Sequence, residues 1–303
     1  MDGSSHRVEK SWDYRKALRV ILFGLLVSIL VFGLGGRVRG EESRGSRWVW
    51  SQSASGSLNP LGLELGSRVS LQSPLYEGKR GILWDSTLWE VGLENSLTPA
   101  YDTLSLLLRI VPIAFFDLRL LGGIRYAYDA LGFGYTPLLS YDSPFDGDTR
   151  RSIDRENGFG FRYQVSPTFQ GAWGNLVLAT TTHWVFFDMG GVKGVEGNYF
   201  YEPASNVVLK KQDFYWRNDT ILAYRFKERG ILGGILHSIS YVPASGYTSE
   251  RVSLVGNYGG ALSGRVEISI TALVGFYPQD RYLSYDKGKI YGALQVRLQG
   301  RGK

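Results

Sequence analysis

The sequence predicts an all-β protein, an antiparallel transmembrane β-barrel of about twelve strands preceded by an N-terminal signal segment. Three observations carry this. Residues 20–36 form a 17-residue uncharged run behind Arg15-Lys16-Ala17-Leu18-Arg19. Beyond residue 40, apolar and polar residues alternate with period two in segment after segment. The connections between those segments sort into short and long.

A basic stretch followed by an apolar run and a small-residue end describes a secretory signal. Cleavage after Gly40, Gly36 or Gly35 suits the sequence, so residues 1–40 are read as a signal peptide. The competing reading is an uncleaved anchor, for which the run sits at the short end of the roughly 17–25 apolar residues a span requires. Either way the remainder leaves the cytoplasm. No later stretch is long and uncharged enough for a helical span.

Composition narrows the function classes. With 39 Gly, 42 aromatic residues and no Cys in 303, a disulfide scaffold and thiolate-held metals are excluded. The net charge of +6 is misleading, because residues 1–40 hold seven basic residues against three acids and carry four of those charges. The rest is near balance, which argues against nucleic-acid binding. No cofactor or metal site is expected.

The alternation is clearest near the C-terminus. In the strand from Arg265 to Phe276, Val266, Ile268, Ile270, Val274 and Phe276 share one face, with Glu267, Ser269 and Thr271 on the other. From Lys289 to Gln299, Ile290, Leu294, Val296 and Leu298 oppose Tyr291, Gln295 and Arg297. Successive strand side chains point to opposite faces, so each segment has a greasy and a polar side. The same pattern predicts strands at 61–72, 88–97, 104–111, 118–128, 159–165, 176–187, 214–226, 231–241 and 251–258. Residues 41–57 are either a periplasmic segment or, through Trp48–Ala54, a first strand, with the barrel proper over 58–303. That gives about twelve strands, with ten as the alternative, since closed bacterial barrels usually have an even count.

Short connections at 112–117, 172–175, 227–230 and 263–264 alternate with longer ones at 129–158, 189–213, 243–250 and 278–288. Short periplasmic turns and long external loops mark outer-membrane barrels. In such a barrel the apolar faces meet lipid and the polar faces look inward. The predicted lumen is lined by Glu64, Arg68, Glu90, Glu94, Arg109, Arg119, Arg125, Arg162, Arg217, Asp219, Arg225, Glu267 and Arg297. Aromatics such as Trp89, Trp184, Trp216, Tyr224 and Phe276 near strand ends fit interfacial girdles. A water-soluble sandwich would instead place these apolar faces between two sheets.

Four clusters then carry a resemblance: Ser73-Pro74-Leu75-Tyr76, Leu83-Trp84-Asp85-Ser86-Thr87, Leu97-Thr98-Pro99-Ala100, and Val111-Pro112-Ile113 with Phe116-Asp117-Leu118. With them the chain resembles a family of uncharacterised outer-membrane β-barrel proteins of deltaproteobacteria and related bacteria, over roughly 60–298. The resemblance implies the architecture and assigns no catalytic residue. Many outer-membrane barrels end in an aromatic residue read by the assembly machinery, whereas the last apolar residue here is Leu298.

Functionally, the sequence points to a narrow or plugged channel, or a structural barrel, with a charged Arg/Glu lumen. Barrels of about twelve strands fall between filled eight-stranded and water-filled sixteen-stranded ones. The alternative is a lipid hydrolase of the lipid A deacylase type, on His237-Ser238-Ile239-Ser240. There His237 shares parity with Ile239 while both serines face away, and no acid adjacent in sequence orients the imidazole. Expected partners are outer-membrane lipids, lipopolysaccharide and the barrel assembly machinery. Carboxylates at 142, 146, 148, 154 and 156 match no known cation loop.

Overall fold

The computed structural model describes residues 45–58, 61–76, 81–129, 134–143, 152–191, 199–202, 204–263, 265–280 and 290–302. The expected signal segment, Asp146 and Asp148 lie outside the described residues. The wall is a closed barrel of twelve strands. They are β1 (Arg47–Leu58), β2 (Gly62–Pro74), β3 (Leu88–Leu97), β4 (Tyr101–Ile113), β5 (Phe116–Ala127), β7 (Gly158–Trp173), β8 (Leu176–Asp188), β11 (Gln212–Phe226), β12 (Ile231–Val242), β13 (Tyr247–Ser263), β14 (Val266–Asp280) and β15 (Ile290–Arg301). Each pairs antiparallel with its neighbours, and β1 closes on β15 with Gln52 opposite Leu298. The count is twelve, so the ten-strand alternative is set aside. Trp48–Ala54 lies within β1 and is part of the wall.

Three short strands stand apart. β6 (Thr136–Leu138), β9 (Tyr199–Glu202) and β10 (Val207–Lys210) form their own sheet in the order β10-β9-β6. They come from the connections 128–157 and 189–211, which sequence pattern alone left as long loops.

Following the chain up and down the wall assigns every connection to one rim. The turns at 114–115, 174–175, 227–230 and 264–265 lie at the rim that also holds the start of β1 and the end of β15. The strand ends that flank 128–157, 189–211, 243–246 and 281–289 lie at the opposite rim. The predicted sorting holds for seven of these eight; 243–246, expected to be long, has four residues like the short turn 227–230, because β13 begins at Tyr247 rather than at Arg251. Three others depart from it: 75–87 is long at the short-turn rim, while 59–61 and 98–100 are short at the long-loop rim.

The inversion expected of a membrane barrel is present. Leu65, Leu93, Leu106, Ile124, Leu222, Leu254, Val274 and Leu294 are exposed on the outside. Leu254 is 64% exposed and Leu106 67% exposed, at mid-strand positions where a soluble sandwich would bury its bulk. Inside, the wall carries Ser70, Glu90, Ser105, Arg125, Ser166, Ser238 and Ser253, all buried. Packing needs glycine at close approaches. A Cβ on inward-facing Gly123 would fall 2.1 Å from the Leu104 carbonyl oxygen, so only glycine lets β5 press against β4 there.

Candidate functional site: the lumen and its plug

Register fixes which side chains meet inside. Glu90 of β3 lies opposite Arg109 of β4 and Gln72 of β2, and Thr103 lies opposite Arg125. All thirteen residues predicted to line the lumen share the inward parity in this register. The geometry groups them as sequence could not.

The first group sits on β2–β5, towards the short-turn rim. Glu90 is fully buried and accepts from Ser70 Oγ at 2.6 Å and Gln72 Nε2 at 3.0 Å. Arg109 and Arg68 approach it at 3.4 and 3.7 Å. Arg109 also donates to Asp117 at 2.6 Å, and Arg119 pairs with Glu94. A buried carboxylate is stable only with charged and hydrogen-bonding partners, and Glu90 has both. Asp117, read from sequence as a turn residue, is a full member; its parity with Arg119, two residues on, was the available signal.

The second group lies across the lumen. Arg217 Nη2 donates to Asp219 Oδ2 at 2.5 Å, His183 Nε2 stands 3.3 Å from the same carboxylate, and Ser238 Oγ donates to Asp219 Oδ1 at 2.6 Å. His183 Nδ1 lies 2.9 Å from Ser166 Oγ. Arg251 of β13 reaches Ser238 Oγ at 3.4 Å and lies 4.1 Å above the Tyr291 ring. His183, Ser238 and Arg251 were not predicted as lumen residues.

The remaining predicted residues scatter. Glu64 accepts from Ser96, and Glu267 pairs with Arg301 at 3.3 Å at the short-turn rim. Arg162 donates to Gln164. Among the described residues, no carboxylate lies within ion-pair distance of Arg162, Arg225 or Arg297. Five of the eight predicted arginines therefore face a carboxylate, so the lumen is chiefly a set of local ion pairs rather than an arginine ring.

At the long-loop mouth the three-stranded sheet packs against the inner face of the wall. Val207, Val208 and Leu209 have no exposed surface. They belong to one apolar cluster with Phe200 and Tyr201 of the sheet and Tyr101, Val185, Phe187, Tyr215, Val242 and Tyr247 of the wall. Phe200 meets Phe187 edge to face at 5.8 Å, and Tyr135 stacks on Phe200 at 4.9 Å. Polar contacts lock the same seam. Arg125 of β5 pairs with Glu202 of β9 and lies 3.9 Å over the Tyr101 ring. Tyr247 Oη donates to the Asn206 carbonyl at 3.0 Å, while Asn206 Nδ2 donates to Asp280 at 2.8 Å.

A closed wall with apolar residues outside, ion pairs inside and no open sheet edge is the β solution to crossing lipid. This is a β-barrel of the outer-membrane type. No protein-family model matches the chain, and no curated protein matches it. Among solved structures it is similar to the NanC porin, at 9% identity and TM-score 0.41, over 83% of this chain and 98% of that one. It is similar to the translocator domain of the autotransporter NalP from Neisseria meningitidis, at 12% identity and TM-score 0.41, over 96% and 98%. An outer-membrane channel from Pseudomonas putida F1 is similar at 7% identity and TM-score 0.40, over 88% and 98%.

The His-Ser run of β12 does not assemble a nucleophile with its base. His237 lies opposite Thr220 on the outward face, whereas Ser238 lies opposite Asp219 inside. An acid does stand beside the imidazole, supplied from the next strand rather than from nearby in sequence: Glu250 of β13 places Oε1 2.7 Å from His237 Nε2. Local sequence could not reveal it.

Proposed function

We propose that this protein is a channel held shut at its external mouth by a sheet of its own loops, and that solutes pass only when the sheet is displaced. One observation carries the reading: the mouth holds a buried apolar cluster in which Val207, Val208 and Leu209 of the sheet are fully enclosed. A structural barrel with no transport role would not need its closure built from separate loops and latched by one ion pair. Below the plug the unpaired predicted charges are Arg225 and Arg297, which favour anions over cations.

Conductance in planar bilayers tests this. The native chain gives rare, brief openings. A variant with the apolar seam broken, Val208→Asp, gives long-lived open channels. Steady large conductance of the native chain, or silence of the variant with its wall intact, would defeat the reading.

The surroundings follow as part of the same proposal. The outer face meets membrane lipid and lipopolysaccharide, and insertion uses the barrel assembly machinery. The motifs at 73–76, 83–87 and 97–100 support membership of the uncharacterised deltaproteobacterial barrel family. Hydrolysis is the weaker reading, since the His237–Glu250 pair has neither serine of the run on its face.

A further inference from the structure

We propose that the outward wall over β8, β11, β12 and β13 is the contact face for a second copy of this chain. A cluster of six polar residues interrupts the apolar exterior there, inward of the polar strand ends at Asp188, Gln212 and Thr248. Asn218 Nδ2 donates to Thr180 Oγ1 and Thr182 Oγ1, each at 3.0 Å. Thr220 Oγ1 donates to Asn218 Oδ1 at 2.9 Å and lies 2.9 Å from Thr180 Oγ1. Directly opposite Thr220 on β12 is His237, paired at 2.7 Å with Glu250. The His237 and Glu250 side chains are 40% and 30% exposed.

Depth makes this patch significant. On β11, Asn218 and Thr220 lie between outward Trp216 and outward Tyr224, which sit towards opposite ends of the strand. On β8, Thr180 and Thr182 lie between Leu178 and Trp184. The patch therefore lies inside the hydrocarbon layer bounded by the aromatic girdles. Ionisable residues at that depth are costly, and those that persist mark a site where something polar covers them. Lipid headgroups and lipopolysaccharide sugars lie beyond the Trp216 level and do not reach it.

A second copy does. Copies inserted in the same direction bring this patch to the same depth, so a twofold axis along the membrane normal places it against itself. The patch is complementary to itself, because it holds amide and hydroxyl donors and acceptors together with one acid and one base. Space is available too: outward Gly233 and Gly256 face each other across β12 and β13, and nothing lies within 4 Å of a Cβ built on Gly256. Small residues let membrane-embedded surfaces approach closely. The other outward polar set, on β1–β4, lacks this symmetry. Ser67 donates to Gln52 at 2.7 Å and Asn95 to Asp102 at 2.6 Å, with no cation among them, so two copies would oppose carboxylates.

The chain has no cysteine, so single-cysteine crosslinking in native membranes is clean. Ile235, outward beside His237, and Ala54, outward on β1, are the two probe positions. Under mild oxidation, Ile235→Cys gives a band of twice the monomer mass as the main product, and Ala54→Cys stays monomeric. Adding His237→Leu and Asn218→Leu to Ile235→Cys removes that band while compact, heat-modifiable migration shows the wall still folded. Three results would overturn the proposal: no dimer from Ile235→Cys, equal dimer from Ala54→Cys, or a crosslinked band of another mass, which would mark a different protein as the partner.

Discussion

Arg125 and Glu202 are 77 residues apart in the chain and form a buried ion pair between wall and plug. Arg125 is held on the wall side by Thr103 at 3.0 Å and by the Tyr101 ring. Glu202 is thus the removable half of the latch. Breaking a buried pair by losing one partner costs about 3–5 kcal/mol. Glu202→Gln should therefore loosen the sheet without unfolding the wall. Single-channel recording should show a rise in open probability, and limited proteolysis should cut the 199–211 segment faster than in the native chain. Unchanged gating would assign the closure to the apolar seam alone.

A second expectation concerns the wall. Glu90 is the carboxylate around which Arg68, Arg109, Ser70 and Gln72 converge. Glu90→Leu takes from Arg68 its paired carboxylate and leaves Arg109 with Asp117 alone, a loss of up to about 3–5 kcal/mol. Urea unfolding of the protein in lipid vesicles should show its midpoint fall, whereas Glu64→Gln, at an exposed strand end, should leave the midpoint where it was.

Much of this was legible beforehand. Alternation assigned Val266 and Arg297 to opposite faces, and the register agrees. Alternation works here because a closed wall makes every residue face either lipid or lumen. What it could not supply was partnership across strands. Glu250 beside His237, and Glu90 between Arg68 and Arg109, depend on register, which is set by the whole sheet rather than by any one strand. The plug was invisible for a different reason. Tyr199–Glu202 and Val207–Lys210 are four-residue strands, too short to show a period. Their apolar character only makes sense once the wall encloses them. The outward threonines and Asn218 escape the pattern because a polar residue on these strands does not always face the lumen.

Selectivity gives a third test. Arg225 and Arg297 are inward, and neither has a carboxylate within ion-pair distance among the described residues. Arg225→Glu together with Arg297→Glu should move the reversal potential in a salt gradient towards cation preference. The same exchange at Arg217, already compensated by Asp219 at 2.5 Å, would disturb the fold instead and is the wrong place to look for selectivity.

The last expectation follows from how β5 is seated. Gly123 lies opposite Ser105 in the register, and a Cβ there would stand 2.1 Å from the Leu104 carbonyl oxygen and 2.6 Å from the Ser105 Cα. Both obstacles are backbone, so no side-chain rotation relieves them. Gly123→Val must push β5 away from β4 and breaks the ladder at mid-strand, where unpaired backbone groups in lipid are costly. Gly171, by contrast, has nothing within 4 Å of its added Cβ. Gly171→Val should therefore yield heat-modifiable barrel in normal amount, and Gly123→Val should yield little or none. Equal yields would mean that the strand contact at Gly123 relaxes freely and is not needed to close the wall.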